Sequence, residues 1–420
     1  MEELIYWIWL SLACTPGSQT FASLLGKFDT AKEIYEADDS SIAAVITSRS
    51  RDYEALTSKD LEQAQLVLDF CTSKNVGILT YSDERYPDSL RDIPTPPVLL
   101  YYRGVLPDFS KLFCISIVGT RRLTEYGKKN SFTIAYDLAR AGATIVSGMA
   151  IGIDAVAHAG AIAAGKVTVA VIGSGIDVCY PKEHRPLARE IVKNGCVFTE
   201  YPPGTRPDGH NFPVRNRIIS GLSKVTLVIE GKERSGALLT ARHAKEQGRM
   251  VYALPGNVGN PNSEVCNLLL KNGARVCTCA DDIVRDFEMS SMGKLNPFEL
   301  AKNAPVNMHE VLSMLKIACV TKDDPIFRTP RVNKKSTQTQ APQETPAAAV
   351  DTAQVAQTQD FSGFDARALK IYKKIPLGQE CTIESLADSE LTMRDVMKAL
   401  LKLEMGKFIT VLPGEKVRRN

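Results

Sequence analysis

The residues with the greatest chemical reach sit in one short run. Phe212, Pro213, Val214, Arg215, Asn216 and Arg217 open a predicted helix, and after the next apolar segment come Glu230, Arg234, Ser235, Gly236 and Thr240. Arginine grips phosphate with two parallel N–H donors, a helix N-terminus adds backbone donors, and Phe212 offers a face on which a base stacks. The same residues also suit an arginine–acid network joining helices, with Phe212 in the core. Three apolar runs end in glycine turns: Val118 into Gly119, Thr120 and Arg121; Ser147 into Gly148; Ile172 into Gly173, Ser174 and Gly175. Any one of these reads first as a plain tight turn. Three on one edge of a sheet favour phosphate, because glycine lets backbone N–H groups approach an anion closely. On this basis Arg121, Arg215 and Arg217 are expected to form one anion-binding surface.

Other chemistries fit less well. Glu200, Glu230 and Asp154 also follow apolar runs, which keeps a nucleotide-hydrolysing enzyme in view, but no nucleophile–base pair accompanies them. His158 stands four residues after Asp154, an arrangement that suits packing or capping more than catalysis. Gly173, Gly175 and Val178 make an incomplete G-x-G-x-x-G, and Lys193 stands where a dinucleotide site needs an acid, so NAD is disfavoured. The run 160–166 spells G-x-x-x-x-G-K, yet Val167 replaces Ser or Thr and the order is helix into strand, the reverse of a P-loop. The ten cysteines include no C-x-x-C pair and the histidines no ligand spacing; no metal, cofactor or disulfide is expected.

These residues need a frame. A chain of 420 residues exceeds one compact core, and 44% hydrophobic with 24% charged residues excludes wholesale disorder or a fibre. The formal charge of +3 decides nothing by itself. Positions 4–13 are too short to span a bilayer and follow Glu2 and Glu3, where a signal peptide carries positive charge, so a cytoplasmic protein is expected without a membrane partner. Helical spacing of Phe21, Leu24, Leu25 and Phe28 predicts a small helical domain over 1–75. Four prolines within 83–104 suggest an extended connector. From Leu112 short apolar runs alternate with longer amphipathic stretches, and strands are predicted at 115–118, 144–147, 168–172, 197–199, 225–229 and 251–254. Near-continuous apolar strands require helices on both faces, hence an α/β domain over 76–290 built on a doubly wound parallel sheet. Residues 291–362 are expected to be a disordered linker, rich in Gln, Thr, Ala and Pro, and 363–420 to be a winged-helix domain of three helices and a hairpin.

Read in order, the motifs resemble the DNA-processing protein A (DprA/Smf) family. They are IVGTR at 117–121, SGMAIGID at 147–154 with His158, GSGIDVCYP at 173–181, FPVRNRII at 212–219 and RSGALLTA at 234–241. The likeness spans about 83–287; the N-terminal region resembles more weakly the family's small helical, SAM-like domain, and the C-terminal region its winged helix. It implies an extended Rossmann-like fold that binds single-stranded DNA without hydrolysing it, forms a homodimer and helps place the recombinase RecA on DNA during transformation. Its phosphate-contacting positions map onto Gly119, Thr120, Arg121, Arg215, Asn216, Arg217, Ser235 and Gly236. With Gly148, Gly173, Ser174, Gly175, Phe212 and Arg234, these make the expected site, none of it catalytic. One departure is Val265, Cys266 and Asn267, where many relatives carry Gly-Thr-Asn. The alternative is a nucleotide hydrolase of the phosphoribohydrolase type on a similar fold, whose P-G-G-x-G-T motif is absent.

Overall fold

A computed structural model describes residues 2–233, 235–301 and 306–317, with scattered positions between 371 and 419. The chain divides into two compact units, Met1–Val332 and Asn333–Asn420.

The first unit opens with six helices: α1 (Glu2–Ala13), α2 (Thr20–Leu25), α3 (Ala31–Glu36), α4 (Asp39–Ala43), α5 (Arg51–Ser58) and α6 (Glu62–Ser73). Local side chains start several of them. Thr30, Asp38 and Ser50 each accept a backbone N–H from three residues on, satisfying a donor the helix leaves orphaned. Phe21, Leu24, Ile34, Ile42 and Leu56 fill the space between these helices.

A nine-stranded sheet follows: β1 (Gly77–Thr80), β2 (Leu99–Gly104), β3 (Phe113–Val118), β4 (Ala143–Ser147), β5 (Thr168–Val171), β6 (Cys196–Thr199), β7 (Val225–Val228), β8 (Met250–Ala253) and β9 (Arg275–Val276). Its order is β1-β2-β6-β5-β4-β3-β7-β8-β9. Strands β3 to β9 pair in parallel, whereas β1 and β2 join antiparallel at one edge. Both faces of β3 are buried. Ile115 and Ile117 enter one apolar cluster while Cys114 and Val118 enter the other, as the period of two demands. Its inward polar residue, Ser116, is satisfied by Thr226 Oγ1 of the neighbouring strand at 2.8 Å.

The connecting helices are α7 (Asp88–Arg91), α8 (Glu125–Arg140), α9 (Ile153–Ala163), α10 (Arg185–Asn194), α11 (Asn211–Gly221), α12 (Gly236–Glu246), α13 (Glu264–Lys271) and α14 (Ala280–Phe287). This is the expected Rossmann-like α/β fold. Two sequence readings change. Residues 83–104 include more than a connector, because β2 hydrogen-bonds along β6 and extends the sheet. Nor does the packed region stop at 290: α15 (Phe298–Ala301) lies against α8 and α16 (Met308–Met314) against α9, with Leu295, Leu312 and Leu315 buried. This stretch carries apolar residues of its own, and the part of the expected linker rich in Gln, Thr, Ala and Pro lies outside the described residues. Among the described residues no helix is long and apolar enough to cross a membrane.

The second unit contributes a small antiparallel sheet of β10 (Cys381–Thr382), β12 (Lys416–Arg419) and β11 (Ile409–Leu412), in that order. Ile371, Ile375, Leu386, Val396, Leu400 and Leu403 form its own apolar cluster.

Candidate nucleic-acid interface

Strand order reverses between β3 and β7. Strands β3 to β6 progress toward one edge, and the chain then returns so that β7 lies on the other side of β3. At such a switch point the turns leaving adjacent strands diverge and open a crevice at the carboxyl edge of the sheet. Here it is a cleft of about 950 Å³, lined by Gly119, Thr120, Arg121 and Arg122 after β3, Lys232, Ser235 and Gly236 after β7, and Phe212, Arg215 and Asn216 of α11.

The cleft presents cations around an aromatic ring. Exposed Arg121 places its guanidinium 5.2 Å from the Phe212 centroid, and Arg215 lies 5.9 Å from the same ring. Tyr180 stacks on Phe212 with centroids 5.7 Å apart and planes 30° from parallel. Arg215 is buried at 3% exposure and fixed: its Nη1 donates to the Gly148 carbonyl at 2.9 Å and to the Val171 carbonyl, and its Nε to Asn216 Oδ1 at 3.2 Å. Burial pushes its pKa down to about 10, a fall that Asp154 opposes and Arg121 reinforces. Asn216 in turn donates to the Gly236 carbonyl at 3.3 Å, tying α11 to the start of α12.

The three carboxylates are engaged. Burial raises the Asp154 carboxyl pKa and nearby Arg215 lowers it; Oδ2 accepts the Gly148 N–H at 3.2 Å. Glu230 takes the Thr124 hydroxyl at 2.6 Å and its N–H at 3.0 Å, lying beside the first turn of α8, where the helix dipole favours a negative charge. Glu200 pairs with Arg217. His158 is wholly buried, its Nδ1 2.7 Å from Thr168 Oγ1. That hydroxyl gives its own hydrogen to the Ile145 carbonyl, so the imidazole donates and is neutral; burial holds its pKa down at about 3.

The expected site is thus only partly assembled. Gly119, Thr120, Arg121, Phe212, Arg215, Asn216, Ser235 and Gly236 converge on the cleft. Arg217 does not join Arg121 and Arg215 in one surface, because at two residues past Arg215 on a helix it faces elsewhere, toward Glu200. Gly148, Gly173, Ser174 and Gly175 are buried behind the cleft wall. Arg234 lies outside the described residues. Sequence reasoning missed Tyr180, Arg122, Lys232 and Arg242, all lining the cleft. Lys232 was recoverable from its place after β7; Tyr180 and Arg242 are positioned by tertiary packing.

Residues 77–288 match the DNA recombination-mediator protein A family. The chain belongs to that family. It is 43% identical over 206 residues to protein Smf of Synechocystis sp., covering 48% of this chain and 52% of that relative. To the DNA processing protein DprA of Bacillus subtilis it is 39% identical over 225 residues, 54% of this chain and 76% of the relative. Its fold is similar to the solved DprA of Streptococcus pneumoniae, with a TM-score of 0.60 and 33% identity over 68% of this chain and 98% of the other. In Glu264–Lys271 the family departure at Val265 and Cys266 is absorbed by burial, and Asn267 exchanges hydrogen bonds with the backbone of Gly256.

Proposed function

We propose that this chain is a single-stranded-DNA-binding recombination mediator that holds a strand in the switch-point cleft and hands it to RecA. The observation that carries the reading is the exposed Arg121 set above Phe212, between turns that offer backbone donors. Cations take the phosphates and the Tyr180–Phe212 pair takes unpaired bases, which favours single strands over duplex and tolerates any sequence. The protein acts by binding: Asp154, Glu200 and Glu230 are each committed to a structural partner. It works in the cytoplasm as a homodimer, and Asn333–Asn420, a winged helix by this reading, is an accessory module.

The test is a titration of single- and double-stranded oligonucleotides across a salt series, followed by RecA filament formation on DNA coated with single-strand-binding protein. Tighter binding to the single strand and faster filament formation are expected. Arg121→Ala should weaken binding and flatten the log K against log salt slope by about 0.7, one phosphate's worth on a single strand. Equal affinity for duplex, or an unchanged slope in Arg121→Ala, overturns the assignment.

A further inference from the structure

The two faces of α11 meet different surroundings. Phe212, Arg215, Asn216 and Ile219, at helical spacing, line the cleft. Val214 and Arg217 turn instead toward the loop between α1 and α2. A Cβ on Gly17 would lie 2.8 Å from Val214 Cγ1 and 3.4 Å from Arg217 Nε, and Gly17 has a φ of +77°, so no side chain is accommodated there. Beneath this loop Arg217 Nη2 donates to Glu200 Oε1 at 2.8 Å and stands 2.7 Å from Oε2. Both side chains are 5% exposed, and among the described residues no other ion pair is buried on both sides. Arg217 Nε and Nη1 are buried without a hydrogen-bond partner, so the guanidinium is held by this one carboxylate.

The loop is itself braced from within the helical region. Buried Asp52 of α5 accepts hydroxyl hydrogen bonds from Thr15 at 2.5 Å, Ser18 at 3.2 Å and Thr20 at 2.5 Å. A continuous path therefore runs from Asp52 through the loop and Gly17 to Val214 and Arg217, and across one helix to the cleft. Glu200, rooted just after β6, fixes the other end.

We propose that Arg217 is a positioning residue: with Glu200 and the Gly17 loop it makes the N-terminal helical region a buttress that sets α11, and so Phe212, Arg215 and Asn216, in the geometry the cleft needs. This rests on the reading of the cleft as a single-strand site. It differs from a contact role for Arg217 in the sign of one effect. Were Arg217 a phosphate contact, removing the Glu200 charge would release a cation and strengthen binding; as a positioning group it loses its anchor and binding weakens.

The experiment uses the full chain and a fluorescent oligothymidine, with Glu200→Gln, Arg217→Lys, Gly17→Ala and the comparator Arg121→Ala. Each of the first three should weaken binding by roughly three- to thirtyfold at an unchanged salt slope, a range typical of residues that act through others. The slope should fall in Arg121→Ala alone. In the free protein, amides of α11 should exchange faster in Glu200→Gln and Gly17→Ala while those of α8 stay as in the wild type. Tighter binding by Glu200→Gln, a flattened slope in Arg217→Lys, or equal acceleration of α8 and α11 overturns the proposal. If the wild type binds no oligothymidine, the single-strand reading fails, and the exchange comparison alone decides whether α11 is buttressed.

Discussion

The turns after β5 and β7 use the same small residues at the same edge of the sheet, and they end differently. After β5, Gly173, Ser174 and Gly175 are buried; Ser174 Oγ donates back to the Val178 carbonyl, and a Cβ on Gly173 would lie 3.0 Å from the Phe212 ring. After β7, Gly236 is exposed, and the nearest atom to a Cβ placed there is Asn216 Nδ2 at 3.8 Å. Small residues serve close packing throughout the first turn, whereas in the second Gly231 is buried and Gly236 is left open to approach. A glycine-rich motif therefore marks a place where something comes near the backbone, and the tertiary structure decides whether that is the protein or a ligand.

The largest effect that could break this distinction belongs to the buried class. Gly148, after β4, lies so close under the cleft that a Cβ would stand 2.6 Å from Asp154 Oδ2 and 2.7 Å from both terminal nitrogens of Arg215. The methyl forces apart a charged group at 3% exposure and its opposing carboxylate, and strands both. Gly148→Ala should cost about 3 kcal/mol of folding stability, measured by urea unfolding. A loss below about 1 kcal/mol would mean that the turn relaxes at little cost, and the packing role would fail.

Next in size is the ring itself. Phe212→Ala should lower single-strand affinity by about 1–3 kcal/mol, the range for one stacked base, with the salt slope preserved. Phe212→Leu keeps part of the apolar bulk against Gly173 but not the aromatic face, and should be more stable than Phe212→Ala without binding better. Recovery of both stability and affinity would show that Phe212 serves the cleft wall as an apolar filler.

How much of this was legible beforehand follows the range of each interaction. Residues such as Ile115, Ile117 and Val118 disclose a doubly covered strand because burial on both faces is written into consecutive positions. The turns after β3 and β7 were legible because strand ends on a parallel sheet share an edge. Strand β2 was hidden by the prolines just before it, Pro94, Pro96 and Pro97, and by its antiparallel pairing with a strand nearly a hundred residues on. Arg217 could not be told from Arg215 by type; helical phase separates them, and only the partner at Glu200 says which face is the inside. Tyr180 gains its meaning from Phe212, thirty-two positions away and across a strand. Sequence pattern speaks for periodic burial and falls silent where a polar side chain chooses among distant partners.

The smallest effect gives the sharpest test of the open turn. Gly236 opens α12, and since nothing crowds it, Gly236→Ala should leave stability unchanged or raise it by about 0.5 kcal/mol through the loss of backbone freedom in the unfolded chain. The added methyl does, however, stand where a phosphate would come up to the first amides of the helix. Affinity for oligothymidine should fall by about 0.5–1 kcal/mol, roughly two- to fivefold, the scale of a weakened hydrogen bond to an anion. Thermal melting and a binding titration on one preparation read the two effects separately. A protein more stable and less able to bind is the signature of glycine kept for a ligand. If affinity is untouched, nucleic acid does not reach this turn, and the contact surface shrinks to Arg121 and the α11 face of the cleft.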